Sequence, residues 1–452
     1  MLGKLPSGRK NWDRSFKLHF IHTSFWDMEM HSYLVDLSTR KIPNQPRILP
    51  GQLLTPYRSS WKPCQLDGRD AELVHYFAST AFSSLAIFNQ DAAAFRDLLI
   101  QMALSDGTVS SRAVLFALLA VASQHRDGLQ CRAVQFKISA ISALAKSAEN
   151  GTLSTTEAAQ HVTAGMLLCS FEIHASSETG GQWLWYVRGV KDIIEKSHLD
   201  TQINKSFVAE LLDWVYYHNV IAQFSILHWR YGPVESMFAK QLDLKGWEWI
   251  LGPNRLQRTN RVRPSHRILQ FLSDIFNVLF QAFEQRDTME KFVGRLNILE
   301  GRASTVVEIS ERYGKFSTQE TTDATDMVKL YQTAAMLYLA RVSESISGEL
   351  RNMKPLLDNA FALLCRMRTC ELQFPLLVLG CEARTDEQRN MILDLVWRTE
   401  KTTYVRSLDC LRRALRALWI QEDLASDQDC VPKYMDRLSA IISITRFIPS
   451  LV

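Results

Sequence analysis

The cysteine and histidine side chains are the groups of this 452-residue chain that could hold a metal ion. Close pairs of ligands are the usual sign of such a site. His19 and His22 lie three residues apart, whereas no two of the eight cysteines do. Cys365 and Cys370 are five residues apart, which on a helix corresponds to a rotation of roughly 140°, so their thiols would not face one ion. The spacing therefore predicts no metal site. Because most of the cysteines stand in apolar stretches, we expect buried free thiols.

Histidines could also act as general bases, but a base needs a partner within hydrogen-bonding reach. His161, His174 and His218 have no carboxylate or nucleophile partner that the sequence identifies. His125 ends an apolar stretch, where a histidine commonly caps the last carbonyl groups of a helix. The sequence also lacks a glycine-rich phosphate loop, a G-x-S-x-G nucleophile elbow and an H-E-x-x-H zinc motif. We therefore expect no catalytic residue, no metal and no cofactor.

Two arginine-rich stretches could contact phosphate groups or an acidic partner, since guanidinium groups bind such anions with paired donors. One is the stretch 255–267, which contains five arginines, and the other is the arginine face within 406–416. Lysine and arginine together total 52 against 48 aspartates and glutamates, so the formal net charge is only +4. A surface that grips nucleic acid usually has a denser basic footprint. We therefore expect both stretches to be solvated surfaces and any DNA contact to be indirect.

The elements that position these residues are predicted to be helices. The 19 glycines and 13 prolines are too few for the many turns of a β-sheet protein. From about residue 70 onward, apolar residues recur every three to four positions, which is the helical period. The pattern predicts helices over residues 113–125, 131–145, 158–174, 211–231, 265–283, 327–343, 353–369 and 405–419. Polar linkers are expected at 252–265 and 314–326, and the fold is expected to be an irregular all-α body.

Residues 1–65 differ from the rest of the chain. The prolines between Pro43 and Pro63 would break any helix, so we expect an extended N-terminal arm, followed by one helical domain over 66–452. The charge-free apolar stretch between Arg112 and Arg126 has 13 residues, too few to span a bilayer as a helix. Since the N-terminus has no apolar leader either, the chain is expected to be soluble and intracellular.

A series of short motifs follows along the chain. They are an apolar stretch ending at His125, the segment Lys137–Leu144, the segment Leu167–Ile173, Trp183 with Gly189, the segment Phe374–Ala383, Arg389, and Trp419 with Asp423. In this order they resemble the fungal-specific regulatory domain, or middle homology region, of zinc-cluster transcription factors. The resemblance covers roughly residues 70–425. Tyr186 stands where the family has histidine, Val190 where it has alanine, and Phe374 where it has tryptophan.

The motifs consist of residue types that shape a fold and do not catalyse a reaction. Gly189 and Gly380 are expected to let helices approach each other closely or to let the chain turn. Pro375 is expected to break the chain between two helices. Three tryptophans of the motifs are expected to fill the core or a ligand pocket: Trp183, Trp185 and Trp419.

The resemblance implies a nuclear regulator of metabolic genes in a fungus. Its helical domain would sense a small molecule or dock another transcription factor or co-regulator, and would shift between two packings; a homodimer is compatible with this, and a membrane is not implied. Family members typically carry six cysteines, as C-x2-C-x6-C and its repeat, which bind two zinc ions and read DNA. Only Cys64 lies within the first 130 residues here. Either an N-terminal exon is missing from the sequence, or regulation proceeds through a partner.

Two alternatives remain open at this point. The first is an all-α enzyme in which the aromatic residues of 211–231 line an apolar pocket, with His218 or His228 as the working residue. Core packing is the better account of these residues, because buried aromatic rings routinely fill space. The second alternative is a scaffold that dimerises with a zinc-cluster factor.

Overall fold

A computed structural model describes residues 67–85, 92–105, 107–149, 153–175, 181–202, 206–229, 264–285, 289–314, 322–348, 351–403, 408–425, 434–442 and 449–452. The N-terminal arm expected over 1–65 lies outside these residues, as do 252–263 and 315–321 of the two expected linkers. Within the described residues the chain forms fifteen α-helices and no strand, which confirms the all-α prediction. None of these helices combines the length and apolar character needed to cross a bilayer.

The first seven helices comprise two central ones, α3 and α5, and five that pack around them. They are α1 (Gly68–Ser79), α2 (Ala92–Leu104), α3 (Val109–Asp127), α4 (Cys131–Ala148), α5 (Thr155–His174), α6 (Gln182–Lys196) and α7 (Ser206–His228). Helix α3 packs on α1, α2, α4 and α5, and α5 packs on α6 as well. This central position explains why α3 and α5 are apolar nearly all round.

Local hydrogen bonds that the sequence encodes fix the ends of α3 and α5. The side chain of Thr108 accepts a hydrogen bond from the backbone N–H of Ser111 at the start of α3. Gly128 ends that helix with φ of 79°, a left-handed conformation that favours glycine. Ser154 and Glu157 form a reciprocal capping box at the start of α5.

The remaining helices assemble around a long central helix, α10. They are α8 (Pro264–Gln285), α9 (Met289–Gly314), α10 (Thr322–Ser347), α11 (Lys354–Arg366), α12 (Gln373–Gly380), α13 (Asp386–Thr403), α14 (Leu408–Ala425) and α15 (Tyr434–Ile442). Helix α10 packs on α8, α9, α11, α12 and α15. Because α7 contacts both α5 and α6 and also α8 and α15, the two groups of helices share one hydrophobic core.

All eight predicted helices are present, and their ends differ from the prediction by a few residues. The largest correction concerns the linker expected at 314–326, because α10 already begins at Thr322. Threonine and aspartate are favoured at helix N-termini, so the polar composition of residues 322–326 marks the start of a helix and not a loop.

Candidate functional site

The motifs of α4, α5 and α6 meet at a buried ion pair. Nζ of Lys137 in α4 lies 2.6 Å from Oε1 of Glu172 in α5, and the Glu172 side chain is 5 % exposed. The same ammonium group lies over the ring of Phe171, 5.7 Å from its centroid. Burial and, to a lesser extent, the charge of Glu172 raise the pKa of Tyr186 in α6. The ammonium group of Lys137 therefore forms an ion pair inside the domain, and this pair connects α4 with α5.

A second buried ion pair, the Arg341–Glu382 clamp, joins α10 to the turn after α12. Nε and Nη2 of Arg341 each donate to one carboxylate oxygen of Glu382, both over 2.7 Å. The Glu382 side chain is only 2 % exposed, and Arg341 also donates to Glu344 on its own helix. These hydrogen bonds, led by those to Glu382, raise the pKa of Arg341 above its ordinary value. The two-pronged geometry fixes the direction as well as the distance of the contact.

A third set of charges, the Glu422 cluster, consists of Glu422, Asp423 and the arginines Arg384, Arg389 and Arg437. Nη1 of Arg384 lies 3.0 Å from Oε1 of Glu422, and Arg437 contacts the same oxygen. Nη2 of Arg389 lies 3.8 Å from the other oxygen of Glu422. Arg389 also donates to both carboxylate oxygens of Asp423 over 3.0 Å. The cluster thus joins α13, α14 and α15.

Trp419 connects this cluster to α12. Its Nε1 donates to the carbonyl oxygen of Gly380 over 2.9 Å, and the guanidinium of Arg389 lies over its ring, 5.6 Å from the centroid. A Cβ atom on Gly380 would lie 2.4 Å from Cδ2 of Leu415, so a larger residue there would force Leu415 to shift, and glycine lets α12 approach α14 this closely without that shift. The prediction for Gly380 is therefore confirmed, and the C-terminal motifs converge on one structural unit.

Phe374, at the start of α12, lies in a cluster of buried aromatic rings. Its ring centroid is 5.0 Å from that of Phe224 in α7 and 6.3 Å from that of Tyr338 in α10. His228 of α7 joins two further helices, with Nε2 2.7 Å from Oη of Tyr338 and Nδ1 3.4 Å from Oγ of Ser439 in α15. The three rings of Phe224, Tyr338 and Phe374 are all 0 % exposed. These rings from α7, α10 and α12 pack edge to face and fill the core, so Phe224 does not line an open pocket.

Three other histidines named by the sequence are buried or partly buried. Nδ1 of His218 lies 3.0 Å from the carbonyl oxygen of Trp214, and burial lowers the pKa of His218 to about 4. Nε2 of His174 lies 3.0 Å from the carbonyl oxygen of Ser84. Burial also lowers the pKa of His161. The contact of His218 thus lies within α7, whereas that of His174 joins the end of α5 to Ser84.

His125 departs from the role expected for it. Its Nδ1 lies 2.9 Å from Oη of Tyr76 in α1, and the two ring centroids are 5.7 Å apart. The carbonyl end of α3 is closed instead by the backbone N–H of Gly128, which donates to Gln124 over 2.8 Å. His125 therefore attaches α1 to α3, and the cap that the sequence ascribed to it is supplied by the glycine that follows.

Comparison with known proteins identifies the family to which these motifs belong. The family described as "fungal specific transcription factor domain" matches residues 72–445. The chain belongs to this family. One relative, the transcription factor iacI of Pestalotiopsis fici, is 38 % identical over 389 residues, which are 85 % of this chain and 95 % of the relative. No solved structure matches the chain. By family and by relative, the chain is a transcriptional regulator.

A close helix approach in this fungal-specific domain lies at a different glycine from the one expected. A Cβ atom on Gly189 in α6 would meet nothing within 4 Å, whereas one on Gly165 in α5 would lie 2.5 Å from Cγ2 of Val190. The close approach of α5 to α6 is therefore made by the glycine on α5, and the prediction for Gly189 was wrong. The family motif indicates that α5 and α6 pack together, but it does not indicate which of the two helices carries the glycine at their contact.

We expect Gly165→Ala to lower the free energy of unfolding by about 1–3 kcal/mol, because the added methyl group overpacks the contact with Val190 and a β-branched side chain cannot easily rotate away. The matched control, Gly189→Ala, should raise the free energy of unfolding by about 0.5–1 kcal/mol, since alanine is the better helix former. Urea unfolding of both variants measures the two changes. Effects of the same sign would contradict this packing of α5 on α6.

Two further expectations for the family motifs need correction. Trp183 and Trp419 are buried, but Trp185 is 51 % exposed. Because Trp183, Leu184 and Val187 face the core from one side of α6, Trp185 lies on the opposite side of the helix and points away from the core. Pro375 does not separate two helices. It lies in the first turn of α12, where backbone N–H groups have no partner within the helix, so the N–H that proline lacks is not needed.

The cysteines are only partly as predicted. Cys169, Cys370 and Cys381 are buried, and burial raises the pKa of each thiol. Cys131 and Cys365 are exposed, so the prediction of buried thiols was wrong for these two, which lie on the outer faces of α4 and α11. Among the residues that the structure describes, no group of three or more histidine, cysteine or acidic side chains is placed to hold a metal ion.

The arginine face of α14 is partly neutralised by acidic neighbours. Nη1 of Arg412 lies 3.1 Å from Oε2 of Glu400, and Arg412 also contacts Asp409. Nη2 of Arg413 lies 3.0 Å from the second oxygen of Asp409. These ion pairs favour the expectation of a solvated surface over that of a nucleic-acid contact. Residues 255–263 of the other arginine-rich stretch lie outside the described residues.

Proposed function

We propose that this transcription factor regulates metabolic genes from the nucleus and reaches DNA through a partner protein. The observation that carries the regulatory role is the family match over residues 72–445, and the indirect route to DNA rests on the ion pairs that neutralise arginines of α14. The relative iacI supports it, because a protein of which 95 % aligns with this chain is itself named a transcription factor. In this proposal a zinc-cluster factor supplies the base contacts, and the helical domain acts as the effector.

The buried ion pairs suggest how the domain could switch. The Arg341–Glu382 clamp and the Glu422 cluster link α10 with α12–α15, and such pairs are either made or broken. Ion pairs between helices can be exchanged, and packed interfaces between helices have discrete alternative arrangements. We infer that binding of an effector or of a partner, including a second copy of the chain, shifts α10 against these helices. No catalytic step is part of this mechanism.

A reporter assay tests the proposed effector role. The chain is fused to a heterologous DNA-binding domain whose operator lies upstream of a reporter gene in a fungal cell. We expect the fusion to change reporter transcription several-fold relative to the DNA-binding domain alone. A fluorescent tag shows whether the fusion is expressed and nuclear. An unchanged reporter with the fusion present in the nucleus would refute the proposal.

The metabolic targets and the partner need separate measurements. Deletion of the gene should change transcripts of metabolic enzymes more than those of other classes, and a change confined to other classes would remove that part of the proposal. A tagged full-length chain should co-purify with a zinc-cluster factor when both are expressed together. Transcriptional activity that persists after every such factor is removed would count against an indirect route to DNA.

A further inference from the structure

We propose that the outer face of the α13–α14 pair is a docking surface for a short acidic segment of a partner protein that also carries apolar side chains. Four exposed residues define this docking surface, two from each helix. They are Trp397 and Lys401 of α13 and Arg416 and Ile420 of α14. Each helix thus contributes one large hydrophobic side chain and one cation, so the complementary segment combines apolar with acidic groups.

Ion pairs between the two helices fix how they lie beside each other. Oε2 of Glu400 in α13 lies 3.1 Å from Nη1 of Arg412 in α14. Nη1 of Arg389, three turns earlier in α13, lies 3.0 Å from Oδ1 of Asp423, three turns later in α14. The two helices are therefore antiparallel neighbours along most of their length.

This arrangement brings Trp397 and Arg416 level with each other. Trp397 lies about one turn before Glu400 and about 60° from it around α13. Arg416 lies about one turn after Arg412 and about 40° from it around α14. Because the helices are antiparallel, both steps lead in the same direction along the pair. Since both side chains are exposed, they lie together on the solvent side of the contact between the helices.

The other two residues extend the docking surface in opposite directions. Lys401 lies one turn from Trp397, with Nζ 3.7 Å from the centroid of the indole ring. Ile420 lies one turn from Arg416 at the other end. At 1.5 Å per residue, the four side chains span about 12 Å along the pair, which is the length of about eight helical residues. A segment of two to three helical turns is therefore long enough to cover them.

The hydrophobic side chains give the docking surface a reason to be covered. Trp397 is 49 % exposed and Ile420 is 57 % exposed. Removing such apolar surface from water favours binding. Tryptophan and arginine are also the residue types enriched among those that contribute most to the affinity of protein interfaces. The partner segment therefore places apolar side chains against Trp397 and Ile420.

The charges decide which kind of segment fits. Asp394 and Asp409, which lie on the same helices, each pair with an arginine of their own helix. Among the residues that the structure describes, Lys401 and Arg416 have no acidic partner. The docking surface thus presents two cations that an acidic segment would neutralise. A nucleic acid fits less well, because it is held by many phosphate contacts and its backbone would leave Ile420 uncovered.

The docking surface would give the partner protein a place to bind outside the buried clamp. Helix α13 packs on α11 and α12, and α14 packs on α12 and α15, so a bound segment would contact helices that the clamp and the Glu422 cluster link to α10. The docking surface is inferred from its own side chains. As the contact through which the domain recruits a zinc-cluster factor, it rests on the proposed function.

Fluorescence anisotropy of a labelled peptide titrated with the purified full chain tests the proposal. The probe, DELLDEFLDELL, combines acidic and large apolar residues. KKLLKKFLKKLL reverses its charge, and DEAADEAADEAA keeps the acids but lacks the large side chains. We expect the probe to bind saturably and at least about tenfold more tightly than either control peptide. Absence of saturable binding, or equal binding of either control peptide, would overturn the proposal.

Two pairs of variants locate the binding site. Trp397→Ala and Arg416→Glu should each weaken binding of the probe about tenfold, and both positions are exposed, so the fold is kept. The matched controls are Trp185→Ala on α6, where the tryptophan is 51 % exposed, and Arg366→Glu on α11, where the side chain is 62 % exposed. The controls should leave the affinity unchanged. An equal loss in a variant and its control would contradict the assignment of the docking surface.

The same variants distinguish other occupants. A DNA duplex that binds more tightly than the probe, and whose binding Arg416→Glu abolishes, would assign the docking surface to nucleic acid and reject the proposal. Self-association of the wild-type chain in sedimentation, abolished by Trp397→Ala, would assign it to a second copy and reject the proposal as well. An inactive reporter fusion with normal binding of the probe would instead reject only the proposed function.

Discussion

Replacing Glu382 with glutamine is expected to lower the free energy of unfolding by about 3 kcal/mol, because removing one partner of a buried ion pair costs about 3–5 kcal/mol. The substitution keeps the shape of the side chain but leaves the guanidinium of Arg341, whose side chain is 20 % exposed, without its buried counter-ion. Glu344 stays within 2.5 Å of Arg341, so the lower end of that range applies. Urea unfolding at neutral pH measures the change.

A surface pair provides the control for this prediction. Nε of Arg398 lies 2.9 Å from Oδ2 of Asp394, a side chain that is 59 % exposed. Asp394→Asn should change the free energy of unfolding by less than about 1 kcal/mol, since exposed pairs contribute little. The double variant Arg341→Met with Glu382→Leu should recover much of the lost stability, because no buried charge then remains unpaired. A loss below about 1 kcal/mol for Glu382→Gln would show that the clamp does not hold α10 to α12.

The clamp also shows how far the site could be predicted from sequence. Glu382 belongs to one of the motifs, so the sequence indicates that it matters. Its partner Arg341 lies 41 residues earlier in the chain and belongs to no motif. Likewise the motifs include Arg389 but not Glu422. In the structure Glu422 contacts Arg389 and two further arginines. Periodicity reveals which face of a helix is apolar, but it does not say which helices become neighbours. Pairings between distant segments arise only when the helices pack.

The same limit explains the successes and failures in the fold. Helices α3 and α5 were predicted because a central helix is apolar over most of its surface. Helices α9 and α13 were not singled out, since their mainly polar sequences carry only a narrow apolar stripe.

His218 should make the protein less stable as the pH falls from 6.5 to 4.5. Burial lowers its pKa in the folded protein to about 4, whereas an unfolded histidine titrates near 6.5. Below pH 6.5 the unfolded chain therefore binds a proton that the folded chain does not bind until about pH 4. The full free energy of unfolding is therefore available above pH 6.5, where His218 is neutral in both states, and it decreases as the pH falls. From linkage, the loss amounts to about 2 kcal/mol between pH 6.5 and 4.5.

Other groups titrate in the same interval, so the measurement compares the pH dependence of variants and not one curve alone. In His218→Asn the amide can still donate to the carbonyl oxygen of Trp214, but nothing titrates, and the pH dependence of the unfolding free energy should be shallower by about 2 kcal/mol over this interval. Phe224→Leu, another fully buried substitution in α7, lowers overall stability through packing and should keep the wild-type pH dependence. If His218→Asn and wild type lose the same free energy on acidification, the imidazole does not reside in the dry core next to Trp214, because burial there is what separates its two pKa values.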